Sequence, residues 1–532
     1  MPGISAKSIQ LIRRTEEAPR ILFLIALFLP IAVLFWNVLT GEAEAPTPWS
    51  ELFDRYAFHR MGQSLAVGAF SVLFSLFLAL PIYFSWLCLS TQCRRWTVAF
   101  SLLPLSFPPF GAASGWMTLA ALWEQTSRGR IVWGVQGIAS QWLYSPLGAG
   151  WILGLCFWPI IFLLMATISE PSQARIDASV LMMRPWTRFR KVILPAWKEP
   201  AVIAGALVFC LGTIQFEVPS LLQISVYPLE IFIRYSALMN ERDALLLSLP
   251  YLLVLPFLGW LAVRAGEKFS TGLGEAHIGP VSPLIRWGAF GAAILILALS
   301  CLVPAAGLWT RCASLSVTLN AIIEQSEQAL RSLAYGGAGG AVIVGLGIWF
   351  TASRYRGQSW TIPAGLLFLF TLPSVLIAGG WLQIRSLWPG RIPTGAALFS
   401  LLCAYVSHYF IIGYGAGILL WRRFGERQRE MGALLKTGFL TRLRRLYLPS
   451  FLVPAIPAMA AAALFLWGDI SITILLSPPG GETLAVEYYN LLHYGNDPRT
   501  AATGLLLLLA PATILLLAFA VWRLIYGMMN DE

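Results

Sequence analysis

Two carboxylates stand inside long apolar runs: Glu217, between Phe216 and Val218, and Asp469, after Trp467-Gly468. An ionised group at the centre of a hydrocarbon layer costs at least roughly 2.5–3.5 kcal/mol on insertion scales, so such an acid faces a bundle interior, a cavity or the near-surface layer. Each is therefore a candidate translocation-path residue, or else a member of a structural pair or an acid at interface depth. The four histidines, His59, His277, His408 and His493, are too few and too scattered for a haem or zinc site. His408, in an apolar run, is either a satisfied histidine or a path residue. The seven cysteines (Cys88, Cys93, Cys156, Cys210, Cys301, Cys312 and Cys403) give neither a disulfide framework nor a metal-ligand spacing. No Gly-x4-Gly-Lys-Ser/Thr loop cradles a nucleotide's phosphates, so this chain is not expected to hydrolyse ATP alone. Tyr488, Tyr489, His493 and Tyr494 form a late aromatic group, either at the level of the lipid headgroups, where amphipathic rings collect, or as a gate.

Those residues must be positioned by membrane-spanning helices. The chain has 532 residues, of which 57% are hydrophobic and 12% charged, and a mean hydropathy of +0.70. That is too apolar for a soluble globule and specifies an all-α polytopic membrane protein embedded in a lipid bilayer. The net charge of +11 does not indicate nucleic acid, because the basic residues sit in short loops between apolar runs.

About twelve apolar segments approach the roughly 20 residues that a helix needs to cross the hydrocarbon core. They cover 21–40, 62–87, 97–123, 148–169, 199–223 and 244–265, then 286–308, 332–352, 362–383, 396–420, 451–476 and 501–526. The first has no small-residue cleavage site after it and is read as a retained span. Lys7, Arg13, Arg14 and Arg20 precede it. If that end is cytoplasmic, the next inside loops carry Arg94-Arg95, then Arg175 to Lys198, Arg264 and Lys268, Arg354 and Arg356, and a dense set from Arg422 to Arg445. The alternate loops hold Glu42, Glu44, Glu51 and Asp54 instead. By the positive-inside rule both termini are cytoplasmic, and so are the loops 170–198 and 421–450.

The chain repeats itself. Ser64-Leu65 recurs as Ser332-Leu333, Pro108…Trp116 as Pro373…Trp381 with Gly115 and Gly380 before the Trp, and Leu194-Pro195 as Leu448-Pro449. Arg242 before Ala244 recurs as Arg499 before Ala501. The separation drifts slowly from pair to pair, as loop insertions in a shared plan would make it. The implied organisation is two pseudo-symmetric six-helix halves, 1–265 and 286–532, around an axis along the membrane normal. They are joined by a polar, Gly- and Pro-containing cytoplasmic linker, 266–285.

The loop ahead of each Leu-Pro has its own pattern. In the second, Glu430, Met431 and Gly432 form a small-residue triplet led by a carboxylate, followed by Leu434, Lys436 and Leu446-Tyr447-Leu448-Pro449. In the first, Ile176, Asp177 and Ala178 precede Val180, Met182 and Val192-Ile193-Leu194-Pro195. Ile176, Val180 and Met183 recur at helical spacing, as do Met431, Leu434 and Leu435, so each loop is expected to hold a short helix with an apolar face. Burying such a side chain in a partner's cleft contributes about 1.5–3 kcal/mol. Pro195 and Pro449 then interrupt the chain ahead of the following span.

This figure resembles the E-A-A-x3-G-x9-I-x-L-P loop of permease subunits in ATP-binding-cassette importers. Lys436 and Met182 occupy the Gly place, and the carboxylate is Glu430 in one copy and the displaced Asp177 in the other. The late run Glu482 to Gly495, with Thr483-Leu484-Ala485-Val486-Glu487 and Leu492-His493-Tyr494-Gly495, is most similar to the ferric-iron type of fused permease; thiamine, polyamine and phosphonate permeases share the plan. The resemblance implies a type I importer fold in the bacterial inner membrane. It also implies a separate ATPase dimer, the subunit that uses ATP, on the cytoplasmic loops, and an extracytoplasmic binding protein that delivers cargo. No cofactor, catalytic residue or metal ligand is expected in this chain. A secondary transporter would also show duplicated spans but has no need of paired Leu-Pro loops. A membrane enzyme would need a catalytic cluster at one face, and none stands out.

Overall fold

Lipid offers no hydrogen-bond partner, so a segment that crosses it must satisfy its own backbone, and a helix does so. A computed structural model describes residues 6–40, 49–89, 91–125, 138–168, 187, 190, 194–266, 283–352, 361–387, 393–434, 448–494 and 498–530. Among the described residues there are helices and no strands. Seven of these helices are long and apolar enough to cross a membrane: Ala18–Thr40, Arg55–Leu87, Pro146–Ala166, Glu241–Gly259, Trp287–Trp309, Ser326–Thr351 and Thr394–Trp421. An eighth crossing results if Thr361–Thr371 and Ser374–Ser386 are one broken span. The protein is thus an all-α, multi-pass membrane protein.

Four of the expected segments are interrupted. The segment expected over 362–383 bends by 91° between Thr361–Thr371 and Ser374–Ser386, and the one expected over 97–123 divides into Thr91–Ser106 and Pro109–Gln125. The breaks fall at Leu372-Pro373 and Phe107-Pro108. A proline has no N–H to continue the ladder and disfavours the helical conformation of the residue before it. Here the proline carbonyls start the next helix, Pro373 O accepting from Leu376 N at 3.0 Å and Pro108 O from Gly111 N at 3.0 Å. The segments expected over 199–223 and 451–476 likewise divide, into Leu194–Ile214 and Glu217–Leu221, and into Leu448–Trp467 and Ser471–Leu476.

Two compact units make up the chain, and each is assembled from separate stretches. The first comprises Met1–Pro46, Arg234–Leu246 and Ala334–Glu482. In it the N-terminal helix Ala6–Thr40 lies against Ser374–Ser386, so close that a methyl group on Gly380 would meet the Pro30 carbonyl. Gly347 and Gly413 similarly bring Ser326–Thr351 and Thr394–Leu434 into backbone contact, because a Cβ on Gly347 would collide with the Gly413 carbonyl. Small residues at such crossings let helix backbones approach in lipid, where burial of apolar surface supplies no driving force between helices.

The second unit comprises Thr47–Ile233, Leu247–Leu333 and Thr483–Glu532. Its core packs Arg55–Cys88 against Pro146–Ile168, with Val67, Ile82, Tyr83, Trp158 and Phe162 all fully buried. Gly150 and Gly154 of the latter helix admit Phe70 and Phe74 of the former. The helix that starts at Pro283 passes through a π turn, Ala298–Leu302, before Val303–Trp309. Pro304 cannot donate to the regular ladder, which accounts for the widened turn just ahead of it. The turn presents Ser300, whose hydroxyl accepts from Trp158 Nε1 at 3.1 Å. Beyond it the Pro304 carbonyl lies against Gly115 as closely as that of Pro30 lies against Gly380.

A short apolar helix, Leu315–Glu324, lies where only a connection was expected; its N-cap is Ser314, whose hydroxyl accepts from Val317 N. The packing at glycine makes a specific expectation within one helix. Gly347→Ala should lower the unfolding midpoint of the purified protein, since overpacking costs about 1–3 kcal/mol. Gly345→Ala, two residues away with open space around it, should leave the midpoint unchanged or slightly raised. Equal effects of the two in a thermal melt would contradict the crossing.

Candidate functional site

Leu194-Pro195 and Leu448-Pro449 each open a helix, Leu194–Ile214 and Leu448–Trp467. A proline in the first turn loses nothing, because the amide it lacks would have had no intrahelical partner. Both Leu-Pro pairs therefore stand at helix starts. Glu430, Met431, Gly432 and Leu434 do not form a separate short helix: they are the end of the 41-residue helix Thr394–Leu434. The stretch Trp421 to Leu434 has four Arg, two Glu and no proline, so the helix that leaves the apolar segment continues through good helix formers despite Gly425 and Gly432. Lys436 and the first-loop positions Ile176, Asp177, Ala178, Val180 and Met182 lie outside the described residues.

Asp469 sits at the break between Leu448–Trp467 and Ser471–Leu476 and is only 7% exposed. Its Oδ1 accepts from the amides of Ile472 at 3.0 Å and Thr473 at 3.1 Å and from the Thr473 hydroxyl at 3.2 Å. Its Oδ2 accepts from the Tyr409 hydroxyl at 2.9 Å. A carboxylate that takes the first amides of a helix is a cap, and it also suits the positive end of the helix dipole. Tyr405 completes the group through a hydroxyl pair with Thr473 at 2.5 Å. His408 belongs to the same cluster. Its Nδ1 lies 3.0 Å from the Leu369 carbonyl and its ring stands edge-on to Tyr409 at 4.6 Å. Asp469 and His408 thus meet through one tyrosine, and both are satisfied within the protein.

Glu217, in the other unit, is 9% exposed and opens Glu217–Leu221. Its Oε2 accepts from Gln215 Nε2 at 3.0 Å. The neighbouring Tyr489 hydrogen-bonds Ser220, and burial first, then the Glu217 carboxylate, raises its hydroxyl above the usual tyrosine value. Members of the late aromatic group differ in their surroundings. Tyr488 is fully buried and its hydroxyl pairs with that of Ser114 at 2.5 Å, whereas His493 is exposed with its Nδ1 2.8 Å from the Tyr489 carbonyl.

Two further polar sets have no counterpart in the sequence reading. Asn37 donates to Gln383 at 2.9 Å; Gln383 in turn donates to Glu241, which also accepts from Tyr235. These bonds tie the end of the N-terminal helix to the broken helix and to the start of Glu241–Gly266. Beside them Arg234 and the buried Asp243 form an ion pair at 3.0 Å. The other set is a matched pair. The Ser64 hydroxyl accepts from Tyr227 N and the Ser332 hydroxyl from Leu484 N, both at 2.8 Å. Each serine also donates to the carbonyl four residues back, on Arg60 and Gln328. These two serines are among the repeated residues, which is the signal by which they could have been found.

Among the described residues no group of three or more His, Cys, Asp and Glu could hold a metal ion. Compared with known proteins, the chain matches no family model and no curated sequence.

Removing the Asp469 carboxylate leaves two buried amides unsatisfied. Asp469→Ala should therefore destabilise by about 1–3 kcal/mol, and Tyr409→Phe, which keeps the cap, by about 1 kcal/mol or less. Thermal unfolding of both variants checks this order, and an Asp469→Ala melt indistinguishable from wild type would contradict the capping role.

Proposed function

We propose that this chain is the membrane-spanning permease subunit of an ATP-driven, binding-protein-dependent importer. It is built as two six-helix halves, with twelve crossings in all and both termini cytoplasmic in the inner membrane of a bacterium. The observation that carries the reading is the recurrence of one structural plan at the repeated residues. Both Leu-Pro pairs open helices, and Pro108 and Pro373 both break theirs. Ser64 and Ser332 hold the amides of Tyr227 and Leu484 in the same way. Gly115 and Gly380 receive the carbonyls of Pro304 and Pro30 in the same way. A chance similarity of two loops gives no reason for four such pairs to fall in register.

The polar segments before Leu194 and before Leu448 are the surfaces on which a separate ATPase dimer docks. Thr394–Leu434 passes from an apolar segment to Glu430 without a break, so a push at Glu430 travels along a rigid rod into the membrane. Leu448-Pro449 then turns the chain directly into the next helix. Nucleotide-driven movement of the ATPase is thereby converted into a change in which side of a central path is open. Glu217, Asp469 and His408 are its candidate path residues, the two acids each lying at a helix break. The cargo reading is ferric iron or an iron chelate, supplied by an extracytoplasmic binding protein and resting on the run Thr483 to Glu487; thiamine, polyamine and phosphonate are the sister cargoes.

The test is copurification with the ATPase, followed by labelled ferric-iron uptake. Glu430→Lys and Val180→Asp should each lower both at least several-fold. Full ATPase retention and full uptake in both variants would overturn the docking assignment. Uptake of thiamine, polyamine or phosphonate, in place of iron, that depends on this chain would move the cargo to that sister group.

A further inference from the structure

A cleft of about 370 Å³ lies in the second unit, between the N-terminal turns of Arg55–Cys88, the turn ahead of Pro146–Ile168 and the turn that joins Glu217–Leu221 to Tyr227–Ser236. Its volume falls in the range of pockets that hold small ligands. The side chains that give it chemistry are Tyr56, His59, Arg60, Gln63, Gln223 and Ser225, and none of the described residues lining it is acidic. Each of these can donate a hydrogen bond, so the cleft is an acceptor-seeking environment.

Three details show a site held in shape. Arg60 is fixed by an ion pair to Glu230, with Nη1 3.1 Å from Oε2. A guanidinium carries five N–H donors in a rigid fork, so a single bond through Nη1 orients the group without exhausting it. Gln63 shares a contact of 3.2 Å between its Nε2 and His59 Nε2, while its buried Oε1 has no hydrogen-bond partner. Gln223 is held at φ +57°, where a residue with a Cβ is strained and glycine is not. A strained residue at the lip of a polar cleft is a common sign that its side chain is used there.

We propose that this cleft binds a small molecule bearing a phosphate or carboxylate group. The oxyanion sits between Arg60 and His59, the body of the molecule lies against the exposed ring of Tyr56, and the amides of Gln63 and Gln223 read its other polar atoms. The site needs neither an ATPase nor a binding protein, so it stands or falls independently of the importer reading. Its ligand chemistry is shared by soluble anions and by anionic lipid headgroups, and the experiment separates the two.

The full-length chain in a phosphate-free maltoside detergent is titrated with glycerol 3-phosphate and with citrate at constant ionic strength, with the unfolding midpoint as readout. Phosphatidylglycerol is added to a parallel sample, and its retention is read by native mass spectrometry. A saturable rise of the midpoint with a soluble anion, or specific retention of phosphatidylglycerol, is expected in wild type. Arg60→Gln should abolish it. Gln223→Gly removes the side chain and relieves the backbone strain, so it should keep or raise the unliganded midpoint while weakening binding about two- to tenfold, the weight of one neutral hydrogen bond. A soluble anion alone identifies a solute site, and phosphatidylglycerol alone a lipid site. The proposal is overturned if neither is bound, or if Arg60→Gln and Gln223→Gly both bind as wild type does.

Discussion

A helix that breaks inside a membrane protein leaves backbone amides that lipid cannot satisfy, and the protein must supply their partners itself. This chain breaks at Phe107-Pro108, at Gln215-Phe216, at Leu372-Pro373 and between Trp467 and Ser471, and polar side chains take part in closing the helix ends that result. Asp469 takes the amides of Ile472 and Thr473. Ser64 and Ser332 take the amides of Tyr227 and Leu484, at the start of the helices that follow two of the breaks. Asp469, one of the two acids that look most like chemistry in this sequence, is engaged in closing the start of a broken helix.

A second constraint acts with the first. Helices in lipid are held by close contact and by hydrogen bonds between them, and close contact needs residues without side chains. Gly115 and Gly380 each accept a proline carbonyl from a helix remote in the sequence, Pro304 in one compact unit and Pro30 in the other. The compact units are consequently interleaved along the chain. Several of the 46 glycines mark crossings where a methyl group would strike a backbone.

Hydropathy made the class of the protein legible because it reports composition, and an all-α membrane protein follows from composition. It could not show direction. A window over 97–123 or 362–383 reads as one apolar segment, and Pro108 and Pro373 were visible there only as marks of repetition; whether a proline kinks a helix or ends it depends on the packing around it. The 41-residue reach of Thr394–Leu434 was hidden for the opposite reason, since a change from apolar to charged residues ends a membrane segment without ending a helix. Asp469 and His408 meet in a cluster with Tyr405, Tyr409 and Thr473; spacing places Tyr405, His408 and Tyr409 on one helix, but not their meeting with Asp469 and Thr473, which come from another part of the chain. Tyr488 differed most: it sits in a run of aromatic residues typical of a lipid rim, yet it is buried against Ser114 and Gly504, a contact from far away in the sequence.

The proposed importer needs the loops 170–198 and 421–450 to face the same way, since only then could one ATPase dimer grip both halves. The most direct measurement is sidedness. Single cysteines are placed at Arg188 and at Arg442 in a variant freed of its own seven cysteines, and a membrane-impermeant maleimide is applied to right-side-out and to inverted vesicles. Both positions should label only in inverted vesicles, as cytoplasmic loops must. Labelling of either position from the outside would contradict the account.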